Sequence, residues 1–383
     1  MKNIAVFCDG TWNSSDATHP TNVVRLAQAV SLGAGGGVPQ VAIYLPGVGT
    51  GRGTTSIGRG LDRLLGGAFG LGLNLNLEDA YRALAFAHEP GDRIYLFGFS
   101  RGAYMARSLA GLLRASGLPS RERVHLIPEA VRRYRSVLPR THPSHESSHR
   151  FRLRVAPETT TGKAEVAWRT ENGHPVGVPL NLAYLGVWDT VGALGVPAQY
   201  RLLASLINGP HQFHDTDLSS LVRAARHAVA IDERRRTFEP ALWSAESLAD
   251  LNARAGDDSR SFRQTWFPGV HGAVGGGGEI TTLSDRALLW VVQGAEAAGL
   301  RFDADRLPPD DGLPDPAAPL HNRRAPPSLS DRIMALTATD RTGPDATEAL
   351  APETVDRWQR NRSYRPRTLR KLRQALEALA GAG

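Results

Sequence analysis

The sequence predicts an α/β protein, a mostly parallel sheet flanked by helices with an inserted segment over it. Three observations carry this. Short β-branched and aromatic runs alternate with longer helical patterns, the signature of parallel strands joined by crossover helices. A serine pentapeptide sits directly between one such run and one such pattern. Over 383 residues, a hydrophobic fraction of 41% with 22% charged residues suffices to bury a large core and excludes wholesale disorder.

In chain order, strands are expected from Ile4 to Cys8, Val41 to Leu45, Arg93 to Phe99, Leu182 to Trp188 and Arg263 to Phe267. Apolar positions spaced for a helix face run from Asn22 to Leu32, Glu78 to His88, Gly102 to Ala115 and Leu218 to Ala230. The strand and helix signals weaken from about Pro119 to Val178, where arginines and histidines crowd together; this reads as an inserted lid or cap of residues 119–178. Residues from Leu307 to Pro327, rich in Pro and Asp, read as a long surface loop. It opens a C-terminal extension, 307–383, packed on the core and ending in a basic amphipathic helix from Arg367 to Ala380. The whole is expected to be one domain, 1–383.

Charge and cysteine content narrow the function classes. The 45 basic and 38 acidic side chains give a net charge of +7, with a pI near 9.9. Lysine occurs only at Lys2, Lys163 and Lys371, so the basicity is arginine on a solvated surface rather than a nucleic-acid site. An anionic membrane surface is a fitting partner for such a patch. Cys8 is the single cysteine, which excludes an intrachain disulfide and any cysteine-based zinc site. The apolar stretch before Asp9 is too short for a signal peptide, and no run of about 20 apolar residues follows it. The chain is therefore expected to be soluble and cytoplasmic as synthesised, with any export by a signal-independent route.

The chemistry centres on Gly98-Phe99-Ser100-Arg101-Gly102, a G-x-S-x-G motif between strand and helix. On such a turn a serine is held in a strained conformation above the sheet, at the positive end of the following helix. A serine hydroxyl is nearly inert until a histidine accepts its proton and a carboxylate orients that histidine. The order Ser, Asp, His along the chain selects Asp189, at the end of the Tyr184 to Trp188 run, and His271, in a glycine-bearing loop past the last strand. His227 is the main competitor, placed within a helical pattern. His142, His145 and His149 fall in the inserted segment as solvated loop residues.

An oxyanion needs backbone donors; the N–H of Arg101 is one, and Gly10 and Thr11, in the loop after the first strand, are the other candidates. That loop, Phe7-Cys8-Asp9-Gly10-Thr11, superficially fits a phosphatase D-x-D-G-T site, but Phe7 stands where the nucleophilic aspartate belongs. The glycine-rich Gly47 to Gly53 lacks the Lys-Ser or Lys-Thr of a phosphate loop and reads as a flexible wall. No metal or organic cofactor is required.

Taken together, Phe7-Cys8-Asp9-Gly10-Thr11-Trp12-Asn13, Thr21-Asn22-Val23, Gly98 to Tyr104, Leu185 to Gly192 and Trp266 to His271 resemble the DUF2235 family. That family includes a class of type VI secretion phospholipase effectors. Tyr364-Arg365-Pro366 resembles its C-terminal end. The resemblance implies an α/β-hydrolase fold and a triad of Ser100, Asp189 and His271, with lipid, especially phospholipid, as acyl-ester substrate and a secretion-system component as partner. One departure is local: the family usually carries Asp two residues after the histidine, where this chain has Ala273. The alternatives to an esterase are an inactive module that binds a polyanion or protein, and a thioesterase or peptidase on the same triad.

Overall fold

A computed structural model of the chain describes residues 1–10, 13, 15–33, 37–47, 66–136, 138–192, 218–255, 261–325 and 338–381. Ile4, Val6 and Cys8 face one side of the first strand and Ala5 and Phe7 the other, and both sets are fully buried. That is the pattern of a strand covered on both faces. Six strands form the sheet: β1 (Asn3–Cys8), β2 (Gln40–Leu45), β3 (Arg93–Phe99), β4 (Asn181–Trp188), β5 (Ala225–Ala230) and β6 (Phe262–Phe267). Their order is β2-β1-β3-β4-β5-β6, and each pairing is parallel. All six therefore end at one edge.

Helices cover both faces. The Ile4 side meets α2 (Gly66–Ala87), α3 (Arg101–Ser116), α4 (Ile127–Tyr134) and α5 (Glu146–Val155) through residues such as Leu84, Leu109, Ile127 and Phe151. The Phe7 side meets α1 (Asn22–Ala29) and a later helix, Thr282–Ala297, through Val23, Leu26, Leu288 and Val291.

Two expectations are corrected. Residues 218–230 do not form a helix, because Ala225–Ala230 is strand β5, hydrogen-bonded between β4 and β6. Alanine-rich helix propensity is overridden there by a slot between two strands. Nor does the segment 119–178 lie over the site. Helix α3 starts at Ser100 and runs away from the strand ends, so its last turn lies roughly 20 Å from them. The insertion packs at that far end: Ser116 donates to Ala130 O (3.2 Å) and Arg152 to Ala115 O (3.2 Å). Within it Glu165 pairs with Arg152 (2.6 Å) and Arg169 (2.5 Å), the latter on α6 (Lys163–Glu171), all three buried. His149 sits buried on α5 rather than in a solvated loop.

The C-terminal segment packs on the β5–β6 end. Val229, Ile231 and Trp266 meet Leu350, Trp358, Leu369, Leu372 and Leu376 in one cluster. The expected single helix from Arg367 is a 3-10 turn, Arg367–Leu372, followed by a helix, Arg373–Gly381.

Candidate active site

Ser100 stands between the last residue of β3 and the first of α3 with φ 58° and ψ −123°. This conformation costs an L-residue on the order of 1–3 kcal/mol. Its backbone is pinned to the next strand, the N–H donating to Trp188 O (3.0 Å) and the carbonyl accepting from Val191 N–H (3.4 Å). The turn needs its glycines for close approach. A Cβ on Gly102 would collide with the Cys8 and Asp9 carbonyls, and one on Gly98 would collide with the Gly102 carbonyl.

Asp189 follows β4 with φ 38°; it and Ser100 are the two non-glycine residues with positive φ among those described. The carboxylate is fully buried. Its Oδ2 meets His271 Nδ1 at 2.5 Å, and its Oδ1 accepts from the Ala230 N–H at 2.9 Å. Two further donors come from a residue that sequence reasoning missed, Arg341. Its Nη1 lies 2.6 Å from Oδ1 and its Nη2 3.0 Å from Oδ2. Burial opposes ionisation, but Arg341 and the His271 bond outweigh it and hold the Asp189 carboxyl well below the usual range.

His271 opens a short helix, His271–Gly275, at the same edge. Its N–H donates to the Glu233 carboxylate (3.2 Å), and Glu233 is itself clamped by Arg235 (2.7 Å). The ring packs between Phe99 and Phe238, each with centroids 4.6 Å away. Burial lowers its proton affinity, opposed by Asp189, and the net pKa is lowered, which favours a neutral base at pH 7. With Nδ1 on Asp189, Nε2 is the nitrogen left to exchange a proton with a reacting group. No hydrogen bond joins it to Ser100 Oγ in this structure; such contacts often tighten only with substrate in place.

The other expected residues fare differently. His227 lies on β5 rather than a helix, accepting from Thr190 N–H (3.2 Å) and bonding Gln264 (3.0 Å), with burial driving its pKa down to about 3. It is a packed residue. The Gly10 N–H is not aimed at an oxyanion, since it donates to the Asp9 carboxylate at 2.7 Å. Asp9 also accepts from Thr21 (2.9 Å) and Tyr44 (2.9 Å), so the loop after β1 is tied to α1 and β2. Thr11 lies outside the described residues, as does most of Gly47 to Gly53. Arg101 heads α3. Ala273 is buried in a small apolar cluster with Leu283 and Ala318.

A family model described as the catalytic domain of Tle1-like phospholipase effectors of type VI secretion matches residues 2–294. The chain belongs to this family. Among curated proteins it is similar to the uncharacterized protein YEL023C of Saccharomyces cerevisiae, with 30% identity over 246 residues. The match covers 62% of this chain and 32% of that protein, so the chain spans about a third of its relative's length. Among solved structures it resembles an uncharacterized protein from Pseudomonas aeruginosa, at 18% identity and TM-score 0.39 over 80% of this chain and 47% of that one. It also resembles the Tle1 effector bound to the VgrG spike of the type VI secretion system, at 16% identity and TM-score 0.36 over 73% and 52%.

Proposed function

We propose that the chain is a serine ester hydrolase of phospholipid or related lipid acyl esters. The observation that carries this is the buried Asp189–His271 pair at 2.5 Å, beside a serine held at positive φ on a strand-to-helix turn. Ser100 Oγ bonds to the ester carbonyl carbon while His271 Nε2 takes its proton. The carbonyl oxygen becomes an oxyanion at the head of α3, where the Arg101 N–H and the helix dipole favour negative charge; the loop after β1 at Thr11 supplies the second donor. Collapse breaks the bond to the leaving alcohol, which takes the proton from His271. Water, deprotonated by the same nitrogen, then releases the fatty acid and restores the serine.

Family membership supports lipid over a peptide or thioester substrate, and supports a secretion-system carrier as partner with export by a signal-independent route. No helix among the described residues is long and apolar enough to cross a membrane.

Ser100→Ala is expected to lower hydrolysis of phospholipid vesicles and of short nitrophenyl esters by about 10³-fold or more; undiminished turnover of both would remove the mechanism. A fluorophosphonate probe should label wild type and spare the variant. A wild-type chain that resists the probe would instead favour an inactive binding module.

A further inference from the structure

We propose that Arg341, delivered by the C-terminal segment, is a positioning residue for the Asp189–His271 pair: it locks the carboxylate in the orientation that aims the imidazole and balances its charge. This rests on the hydrolase reading. Arg341 lies beyond the residues matched by the family model, 2–294, and 152 positions from Asp189.

The geometry is that of a lock. Both carboxylate oxygens are engaged by the planar guanidinium fork, which is itself held by the carbonyls of Ala230 (2.6 Å) and Phe238 (2.6 Å). The Ala230 residue also gives its N–H to Asp189 Oδ1, and the Phe238 ring packs on His271. One guanidinium thus ties together the end of β5, the turn carrying Phe238 and the acid. With the Ala230 N–H and His271 added, Asp189 has four donors on two oxygens, so rotation would break two bonds at once.

Charge points the same way. A lone buried carboxylate would stabilise the imidazolium strongly and leave a sluggish proton donor in the second half of each step. Arg341 makes the Asp189 site close to neutral. Other charged groups near the pair, among the described residues, are Glu233, bonded to the His271 N–H, Arg235 on Glu233, buried Asp232, which feels Arg341, and Arg107, which acts on neighbouring neutral His227. Among the described residues, Arg341 is the cation whose side chain meets both Asp189 oxygens.

The test follows the His271 ring by nitrogen-15 NMR titration in the full chain, alongside kcat and KM across pH. Arg341→Gln should raise the imidazole midpoint by about one pH unit. It should lower kcat about 10-fold with KM little changed. Arg341→Lys keeps the charge and loses the fork, so the midpoint should stay within about 0.3 unit of wild type while kcat still falls several-fold. An unmoved midpoint in Arg341→Gln overturns the proposal. If that variant does not fold, Arg341→Lys decides: reduced kcat at unchanged KM and melting temperature supports it, and wild-type kcat overturns it. The titration needs no turnover, which separates the two readings. A shifted midpoint with hydrolysis insensitive to Ser100→Ala removes the hydrolase; an unmoved midpoint with Ser100-dependent hydrolysis removes only the role of Arg341.

Discussion

Ser100 and Asp189 both have positive φ, which non-glycine residues rarely adopt, and at Ser100 a close approach of neighbouring chain accompanies it. At Ser100 that neighbour is the Cys8–Asp9 backbone pressed against Gly102. Gly102→Ala is therefore expected to displace the turn and lower kcat/KM about 100-fold, as a misplacement of about 1 Å commonly does, with circular dichroism still reporting a folded chain. Retained activity would show that the approach is not needed. The pH dependence follows from His271. Because its pKa is lowered, the ring stays neutral below the ordinary histidine value of 6.5. The acidic limb of kcat/KM should then have its midpoint under pH 6.5, with activity lost as pH falls through it; a midpoint above 7 would contradict the burial argument.

Among the elements, the strands that were legible are those with β-branched or aromatic side chains, such as Ile4 to Cys8 and Arg93 to Phe99. Strand β5 was not, because Ala225, Ala228 and Ala230 carry no strand preference and the segment from Val222 also fits a helical period. Only its place between β4 and β6 decides its form. The insertion was misjudged for a related reason: composition marks a break but not which edge of the sheet it leaves from. In the loop after β1, expected to offer oxyanion donors, Asp9 instead acts as a brace to α1 and β2. Thr21 caps α1 by accepting from Val24 N–H (3.3 Å) while donating to Asp9. Thr21→Val should cost about 1 kcal/mol, read as a lower denaturant midpoint, and should reduce turnover by loosening the loop; unchanged stability would mean the cap is idle.

For the whole molecule, the Asp189–His271 contact at 2.5 Å was foreshadowed by the order of these two residues along the chain, whereas Arg341 gave no such sign. It is one arginine in an arginine-rich chain, and nothing near it in sequence signals a partner 152 positions away. What brings it there is the apolar contact of the C-terminal segment with β5 and β6. Trp358→Ala should cost about 3–5 kcal/mol and, by loosening that segment, move the His271 midpoint upward as Arg341→Gln does. A destabilised variant with a wild-type midpoint would uncouple the two. Acid should also destabilise the fold. His271 and His227 titrate lower when folded than the ordinary 6.5, so the stability they contribute is complete above that value and declines as pH falls. Asp189, also depressed, adds a second loss below about pH 4. The melting temperature should drop in steps as pH falls from 7.5 through the histidine range and on below about 4, and a flat profile would refute this reading.

With Ser100 as the proposed nucleophile, the kinked backbone at residue 100 also sets reactivity and robustness against each other at a single atom cluster. Glycine occupies that conformation without penalty, so Ser100→Gly should be inert and yet melt above the wild type. On the proposed mechanism, selection for thermal endurance alone would thus favour a residue at this spot that could not attack an ester.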